Sequence, residues 1–375
     1  MADSIIREIY DEHFGAKIQL KRRASGRGTY LAVSTDSPDY SIPQLLSCFQ
    51  RPLSYHVRVT KKCNLSCPYC YAEDQTNTED MSDAQVWELI SRANREGAML
   101  FSWTGGEPLL RTGIIDCIEE VHQYGIHQTL LTNGTKLDEN TLNRLPKSIF
   151  TLQVGFNEPW AIDSAAKEMH SLVLYNIKTA IKKGFPVCVS ITFDPLHIEM
   201  LPYLLQTFES ADITNVKVGL LLPIGRLADL NYSDYAKDVI NVANRLREIR
   251  KEVSNMYIEF QYDCCQYSAL NPIPKRFLQC EAGVSQIYID NNGDVYPCPL
   301  FKSHREMNCG NYFLQPISEL WNSYPMRRLR NAREAPCEKC GTLCGVWCRA
   351  LQYQLTGDVL GASVICPIKR GMEST

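Results

Sequence analysis

The sequence lacks the features that would mark a membrane, nucleic-acid-binding or low-complexity protein. No stretch reaches the roughly 18 apolar residues that span a bilayer, and the start has neither the basic nor the apolar segment of a secretory signal. The net charge is −3 and no basic stripe runs along the chain, so nothing favours a nucleic-acid partner. No internal repeat stands out. We therefore expect a cytoplasmic protein that binds neither nucleic acid nor membranes.

Cysteine is the residue that the sequence has in excess. The chain of 375 residues contains 16 cysteines. A disulfide scaffold cannot explain them in a cytoplasmic protein, because that compartment keeps thiols reduced. Eight of them follow residue 279, three form one short run and five are scattered. This distribution indicates metal binding.

The short run is Cys63-Asn64-Leu65-Ser66-Cys67-Pro68-Tyr69-Cys70, which spaces its thiols as C-x3-C-x2-C. It offers three soft ligands and no fourth, whereas structural zinc usually takes four. A [4Fe–4S] cluster held by three cysteines keeps one iron open for another ligand. The run resembles the signature of radical S-adenosylmethionine (SAM) enzymes. In that family the open iron binds SAM, and electron transfer from the cluster releases a 5′-deoxyadenosyl radical.

Further segments resemble SAM-binding parts of the same family. Gly105-Gly106-Glu107-Pro108 follows the next predicted strand and resembles the motif that hydrogen-bonds the amino group of SAM. The resemblance also implies that Tyr69 packs near the adenine. Asn157 follows the fourth strand near the expected ribose and carboxylate, and Gly225 lies in a segment whose backbone would meet the adenine. A simple strand-ending turn explains either of these last two positions equally well.

Strands and helices alternate along the middle of the chain. Six predicted strands lie near residues 53–60, 99–103, 128–132, 151–156, 187–193 and 216–222. Such alternation predicts parallel βα units covered by helices. We therefore predict an α/β fold, a partial (β/α)6 TIM-like radical SAM barrel, whose site lies at the carboxyl ends of the strands.

The last third of the chain changes character, because cysteine, proline and glycine become dense there. Residues 287–296 are typical of a β-hairpin around an Asn-Asn-Gly-Asp turn. We predict a short N-terminal region at 1–50, the barrel at 51–255 and a small cysteine-rich α+β domain at 256–375.

The cysteine-rich tail resembles the SPASM extension of radical SAM enzymes, which carries two auxiliary [4Fe–4S] clusters. Its central spacing is C-x2-C-x3-C-x3-C, where the family has five residues in the middle gap. The resemblance implies a distal cluster on Cys337, Cys340, Cys344 and Cys366. It implies a cluster nearer the barrel on Cys280, Cys298 and Cys348. The fourth position of the nearer cluster is open, bound by substrate, or filled by Cys309, Cys264 or Cys265, and we favour the first two. Structural zinc is the alternative metal for the tail.

The resemblance implies SAM, three [4Fe–4S] clusters and a reductant such as flavodoxin or ferredoxin. We expect a maturase that oxidises or cross-links side chains of a ribosomally synthesised precursor peptide. A separate peptide-recognition protein would serve it, since only 62 residues precede Cys63. Pro299 stands where sulfatase-activating relatives carry aspartate, which disfavours that activity. The alternative is an oxidase, dehydratase or rearranging enzyme acting on a nucleoside, aminosugar or amino-acid derivative. A non-catalytic iron–sulfur or zinc scaffold is a remote alternative.

Overall fold

The computed structural model describes residues 3–12, 16–23, 29–35, 48–72, 79–156, 164–229, 280–334 and 348–359. Between 229 and 280 it also describes 241–242, 244–246, 248–249, 251, 253 and 255–260. Seven of the residues named above lie outside these ranges, namely Asn157, Cys264, Cys265, Cys337, Cys340, Cys344 and Cys366.

The N-terminal region forms an antiparallel sheet of its own, which the sequence did not predict. Its strands, in sheet order, are β1 (Ser4–Asp11), β2 (Ala16–Arg22) and β3 (Thr29–Thr35). The Arg7 guanidinium donates to the carbonyls of Asn94 at 3.0 Å and Tyr124 at 2.8 Å, near the ends of two barrel helices. These helix ends lie just before the next barrel strand. The small sheet therefore packs against the amino-terminal side of the barrel, opposite the predicted site.

Within the described residues, seven strands run parallel and neighbour one another in chain order. They are β4 (Ser54–Arg58), β5 (Leu100–Thr104), β6 (His127–Thr132), β7 (Phe150–Gly155), β8 (Val187–Phe193), β9 (Asn215–Leu220) and β10 (Tyr257–Phe260). The first six match the predicted strands, and the predicted α/β partial barrel is confirmed. The seventh, β10, continues the parallel sheet past residue 255.

Helices connect these strands and cover the sheet. They are α1 (Asp83–Arg95), α2 (Ile114–Gln123), α3 (Glu139–Arg144), α4 (Ser164–Lys182) and α5 (Leu201–Glu209). Helix α1 begins with a capping box, in which Ser82 Oγ accepts from the Gln85 N–H at 3.2 Å and Gln85 Oε1 accepts from the Ser82 N–H at 3.0 Å. Its apolar side chains at helical spacing are buried against the sheet. No helix in the described part of the chain is long and apolar enough to cross a membrane.

The C-terminal region joins the barrel sheet directly. The predicted hairpin is confirmed as β11 (Gln286–Ile289) and β12 (Asp294–Tyr296), followed by β13 (Gly310–Asn311). Strand β11 pairs in parallel with β4, the strand that leads into the Cys63 run. Helices α6 (Ile317–Trp321), α7 (Tyr324–Glu334) and α8 (Arg349–Thr356) complete the described region. This pairing places the cysteine-rich region beside the first barrel strand.

Candidate functional site

The three thiols of the Cys63 run lie in one loop at the carboxyl end of β4. We call residues 60–72 the cysteine loop. Cys63 is exposed, and Cys67 and Cys70 are half-buried. The Leu65 N–H points at Cys63 Sγ at 3.4 Å, and the Cys70 N–H donates to the Cys67 carbonyl at 3.2 Å. The loop therefore presents its thiols on an accessible face of the barrel.

The segment after β5 packs backbone to backbone against the cysteine loop. The Gly106 N–H donates to the Thr60 carbonyl at 2.8 Å, and the Glu107 N–H donates to the Lys62 carbonyl at 2.8 Å. A Cβ at Gly105 or Gly106 would overlap those same carbonyls. Glycine is therefore required here by the close approach of the cysteine loop itself.

The Glu107 carboxylate points into the protein and joins two strand ends. It accepts hydrogen bonds from Thr132 Oγ1 at 2.8 Å, the Asn133 N–H at 2.8 Å and the Leu109 N–H at 3.1 Å. Burial raises the pKa of Glu107, and the three hydrogen bonds act in the opposite direction. Pro108 is buried and begins a short 3₁₀ turn. In this structure Glu107 fixes the loop after β5 to the end of β6.

The end of β6 contacts the cysteine loop through a chain of polar side chains. Asn133 Nδ2 donates to Asn64 Oδ1 at 2.9 Å and lies 4.0 Å from Cys63 Sγ. Asn64 Nδ2 in turn donates to Thr135 Oγ1 at 2.9 Å. Sequence reasoning missed these partners. Their position after a third parallel strand is the signal that could have found them, since such strand ends meet at one edge.

The segment after β9 closes on the cysteine loop from another side. The Arg226 N–H donates to the Cys70 carbonyl at 3.2 Å, and its guanidinium donates to the Cys67 carbonyl at 2.9 Å. Gly225 has a φ of +65°, and a Cβ there would overlap the Cys70 carbonyl. In the structure Gly225 thus contacts the cysteine loop, and its contact with an adenine stays a prediction. Tyr69 is half-buried in the same loop.

A second group of thiols comes from three separated segments of the C-terminal region. Cys298 is buried, and Cys280 and Cys348 pack with it in an apolar cluster around Tyr288, Phe301 and other side chains. Burial raises the pKa of Cys298 well above its ordinary value, and the charges of Cys280 and Cys348 raise it further. Burial raises the pKa of Cys348 to about 12, and Cys280 adds to the effect. The three predicted proximal ligands therefore lie close together.

Cys309 lies apart from this group. It is buried, and its Sγ faces the Met307 carbonyl at 3.7 Å. Burial raises its pKa to about 12, while the nearby Ser323 hydroxyl and the charge of Arg330 lower it. Among the described residues it packs with the main core rather than with the apolar cluster of Cys280 and Cys298. The structure gives no support to Cys309 as an extra ligand of that group.

Comparisons with known proteins identify both regions. The model of the radical SAM superfamily matches residues 57–207, and that of the SPASM iron–sulfur cluster-binding domain matches residues 280–342. The chain is a radical SAM enzyme with a SPASM domain. The first match contains the whole cysteine loop, and the second contains Cys280 and Cys298 and ends before Cys348. SAM and [4Fe–4S] clusters are thus the cofactors that the family implies.

The relatives of this radical SAM chain are distant. An AdoMet-dependent heme synthase from Nitratidesulfovibrio vulgaris is 24% identical over 342 residues, covering 83% of this chain and 91% of the relative. A PqqA peptide cyclase from Gluconobacter oxydans is 20% identical, covering 84% and 91%.

Solved structures share the fold at similarly low identity. Streptococcus suis SuiB bound to its precursor peptide SuiA matches with a TM-score of 0.69 and 16% identity, covering 88% of this chain and 82% of SuiB. The enzyme anSMEcpe with bound AdoMet matches with a TM-score of 0.68 and 19% identity, covering 86% and 96%.

The chemistry of both thiol groups fits iron–sulfur clusters. No three Cys, His, Asp or Glu side chains among the described residues converge as a site for one metal ion. A [4Fe–4S] cluster instead takes each cysteine on a different iron, which spreads the ligands apart. Cys348 also caps helix α8, where the Leu351 N–H donates to its Sγ at 3.5 Å. Such donors stabilise a cluster-bound thiolate.

Proposed function

We propose that this radical SAM enzyme oxidises or cross-links side chains of a ribosomally synthesised precursor peptide. When bound at the cysteine loop, a [4Fe–4S] cluster and SAM would supply the radical chemistry needed to attack an unactivated C–H bond of the substrate. Cys63, Cys67 and Cys70 would hold that cluster. The observation that carries the radical chemistry is their placement in one accessible loop, held by the ends of β5, β6 and β9.

The residues around the cysteine loop would position the cofactors. The backbone of Gly105 and Gly106 fixes the entry to the loop, and Arg226 fixes its exit. Asn133 lies near Cys63 and could donate to a sulfur there. We propose that SAM lies over this face, with Tyr69 and Gly225 on the adenine side. Positioning of this kind is most of what a protein adds to cofactor chemistry.

The second thiol group would hold an auxiliary cluster that accepts an electron when the product is more oxidised than the substrate. Cys280, Cys298 and Cys348 are the proposed ligands. The distal cluster on Cys337, Cys340, Cys344 and Cys366 stays a proposal from the sequence. A flavodoxin or ferredoxin would supply the reducing electron, and a separate protein would present the peptide.

Two relatives favour a peptide substrate. SuiB was solved with a precursor peptide, and the Gluconobacter relative is a PqqA peptide cyclase. The heme synthase match, of similar coverage, favours the alternative of a small-molecule substrate. Pro299 keeps sulfatase activation disfavoured, because it offers no carboxylate beside Cys298.

The test is substrate-dependent formation of 5′-deoxyadenosine by the anaerobically reconstituted enzyme. Extract from the host would be separated into peptide and small-metabolite fractions, and the Cys63→Ala variant would give the background. Stimulation by the peptide fraction, with a mass change in one peptide, would support the maturase. Stimulation by small metabolites alone would overturn it and support the alternative.

A further inference from the structure

A buried ion pair crosses from the barrel to the SPASM region. Arg58, the last residue of β4, places Nη1 3.2 Å from Oδ1 of Asp290, which follows β11. The two side chains are 3% and 12% exposed. Asp290 also accepts from the Tyr288 hydroxyl at 3.0 Å, and Asn291 Oδ1 lies 3.3 Å from Arg58. The ion pair is therefore shielded from solvent, and further hydrogen bonds hold each of its two side chains.

The same junction holds the end of the cysteine loop. The Ala72 carbonyl, two residues past Cys70, accepts from Arg58 Nη2 at 2.7 Å and from Lys302 Nζ at 3.0 Å. Lys302 is buried and follows the 3₁₀ turn that begins after Cys298. One backbone carbonyl is thus held by a cation from each of the two regions.

The junction lies between the two thiol groups. Arg58 reaches the Ala72 carbonyl just past Cys70, and Lys302 reaches the same carbonyl from the segment just past Cys298. Cys70 belongs to the cysteine loop and Cys298 to the second thiol group. A change of charge at Arg58 or Asp290 therefore alters the electrostatic potential at both thiol groups.

We propose that the Arg58–Asp290 pair sets the reduction potentials of the two iron–sulfur clusters that flank it. Reduction adds negative charge to a cluster, and its potential follows the charges and hydrogen bonds nearby. Such charges act strongly because they are buried. As a pair, Arg58 and Asp290 nearly cancel. Removing either one leaves the other's charge uncompensated, with opposite effects on the clusters. The inference rests on the cluster ligands proposed above, which the iron content of Cys63→Ala and Cys298→Ala tests separately.

The experiment is a redox titration of the anaerobically reconstituted, full-length enzyme, followed by electron paramagnetic resonance without substrate. Asp290→Asn keeps the shape and the acceptor oxygen and leaves Arg58 uncompensated, so both midpoint potentials rise. Arg58→Gln leaves Asp290 uncompensated, so both midpoint potentials fall. Lys302→Met also removes a buried cation and lowers them.

The matched controls come from an ion pair at the end of helix α1, at another contact between the same two regions. Arg92 Nε lies 2.7 Å from Glu96 Oε1, and Arg92 donates to the carbonyls of Tyr312 and Gln315. Within the described part of the chain, Arg92 makes no hydrogen bond to the cysteine loop. Arg92→Gln and Glu96→Gln leave both potentials unchanged. Shifts of the same sign in Asp290→Asn and Arg58→Gln, or no difference from these controls, would overturn the proposal. Because no substrate is present, the result is independent of the peptide hypothesis.

Discussion

The two thiol groups differ in how the chain builds them and in what surrounds them. The cysteine loop takes its three thiols from eight consecutive residues, and Cys63 is exposed. The second group gathers Cys280, Cys298 and Cys348 from segments far apart in sequence and packs them with an apolar cluster. An exposed site suits a ligand that must enter and leave, such as SAM. An insulated site suits a centre that exchanges electrons.

Removing one cysteine from each thiol group should separate the two groups most strongly, by their chemistry. Cys63→Ala should lose about four irons per chain and reduce 5′-deoxyadenosine formation to the level without protein, since SAM would have no cluster. Cys298→Ala should lose a similar amount of iron yet still cleave SAM. Iron analysis and product chromatography measure both. Cys117→Ala, a buried core position on α2, should keep its iron. Loss of SAM cleavage in Cys298→Ala with intact remaining clusters would contradict the division of roles.

The next effect concerns the contact between Gly225 and the cysteine loop. Gly225→Ala pushes a methyl group into the Cys70 carbonyl and should reduce SAM cleavage by about 100-fold, the size expected when reacting groups move by about 1 Å. Gly113→Ala is the control, because Gly113 has a similar φ of +75° with no atom within 4 Å of the added carbon. Equal losses in the two variants would mean that backbone strain, rather than contact with the loop, is responsible.

A smaller effect concerns stability rather than chemistry. Glu107→Ala leaves one buried donor, the Thr132 hydroxyl, and two partly buried N–H groups without an acceptor. It should lower the free energy of unfolding by about 2–4 kcal/mol. Glu139→Ala removes a carboxylate that is 72% exposed and pairs with Lys183 at 3.0 Å, so it should cost less than about 1 kcal/mol. Thermal and denaturant unfolding compare the two. A Glu107 variant as stable as the Glu139 variant would show that this carboxylate does not join β5 to β6.

The smallest effect is a dependence of stability on pH. Burial lowers the pKa of His127 to about 4, so the folded protein keeps this side chain neutral. The unfolded chain binds the proton near pH 6.5, so stability is lost as the pH falls from about 6.5 towards 4. Relative to His127→Gln, the wild type should lose about 1–2 kcal/mol between pH 7 and 5. Parallel curves for the two proteins would refute this role of His127.

The sequence predicted the parts of the molecule that local patterns encode. The Ser82–Gln85 capping box, the first six strands of the barrel and the C-x3-C-x2-C loop all depend on residues close together in the chain. Short-range spacing decides such features, because a cap or a loop is formed by neighbours.

Long-range pairings could not be predicted from local patterns. The parallel pairing of β11 with β4 and the contact of Arg58 with Asp290 join positions more than 200 residues apart. The direction of the Glu107 side chain could not be predicted either. From the sequence alone, a carboxylate in a turn can point at a ligand or into the core. Likewise, Gly105 and Gly106 suggested a bound ligand, whereas the structure shows the cysteine loop itself against them.

The most direct test of the difference between the two thiol groups is the response of the reduced enzyme's electron paramagnetic resonance spectrum to added SAM. SAM should change one cluster signal only. That signal should be absent from Cys63→Ala and present in Cys298→Ala. If SAM instead changes the signal that Cys298→Ala lacks, SAM binds at the insulated group and the assignment of the open site is wrong.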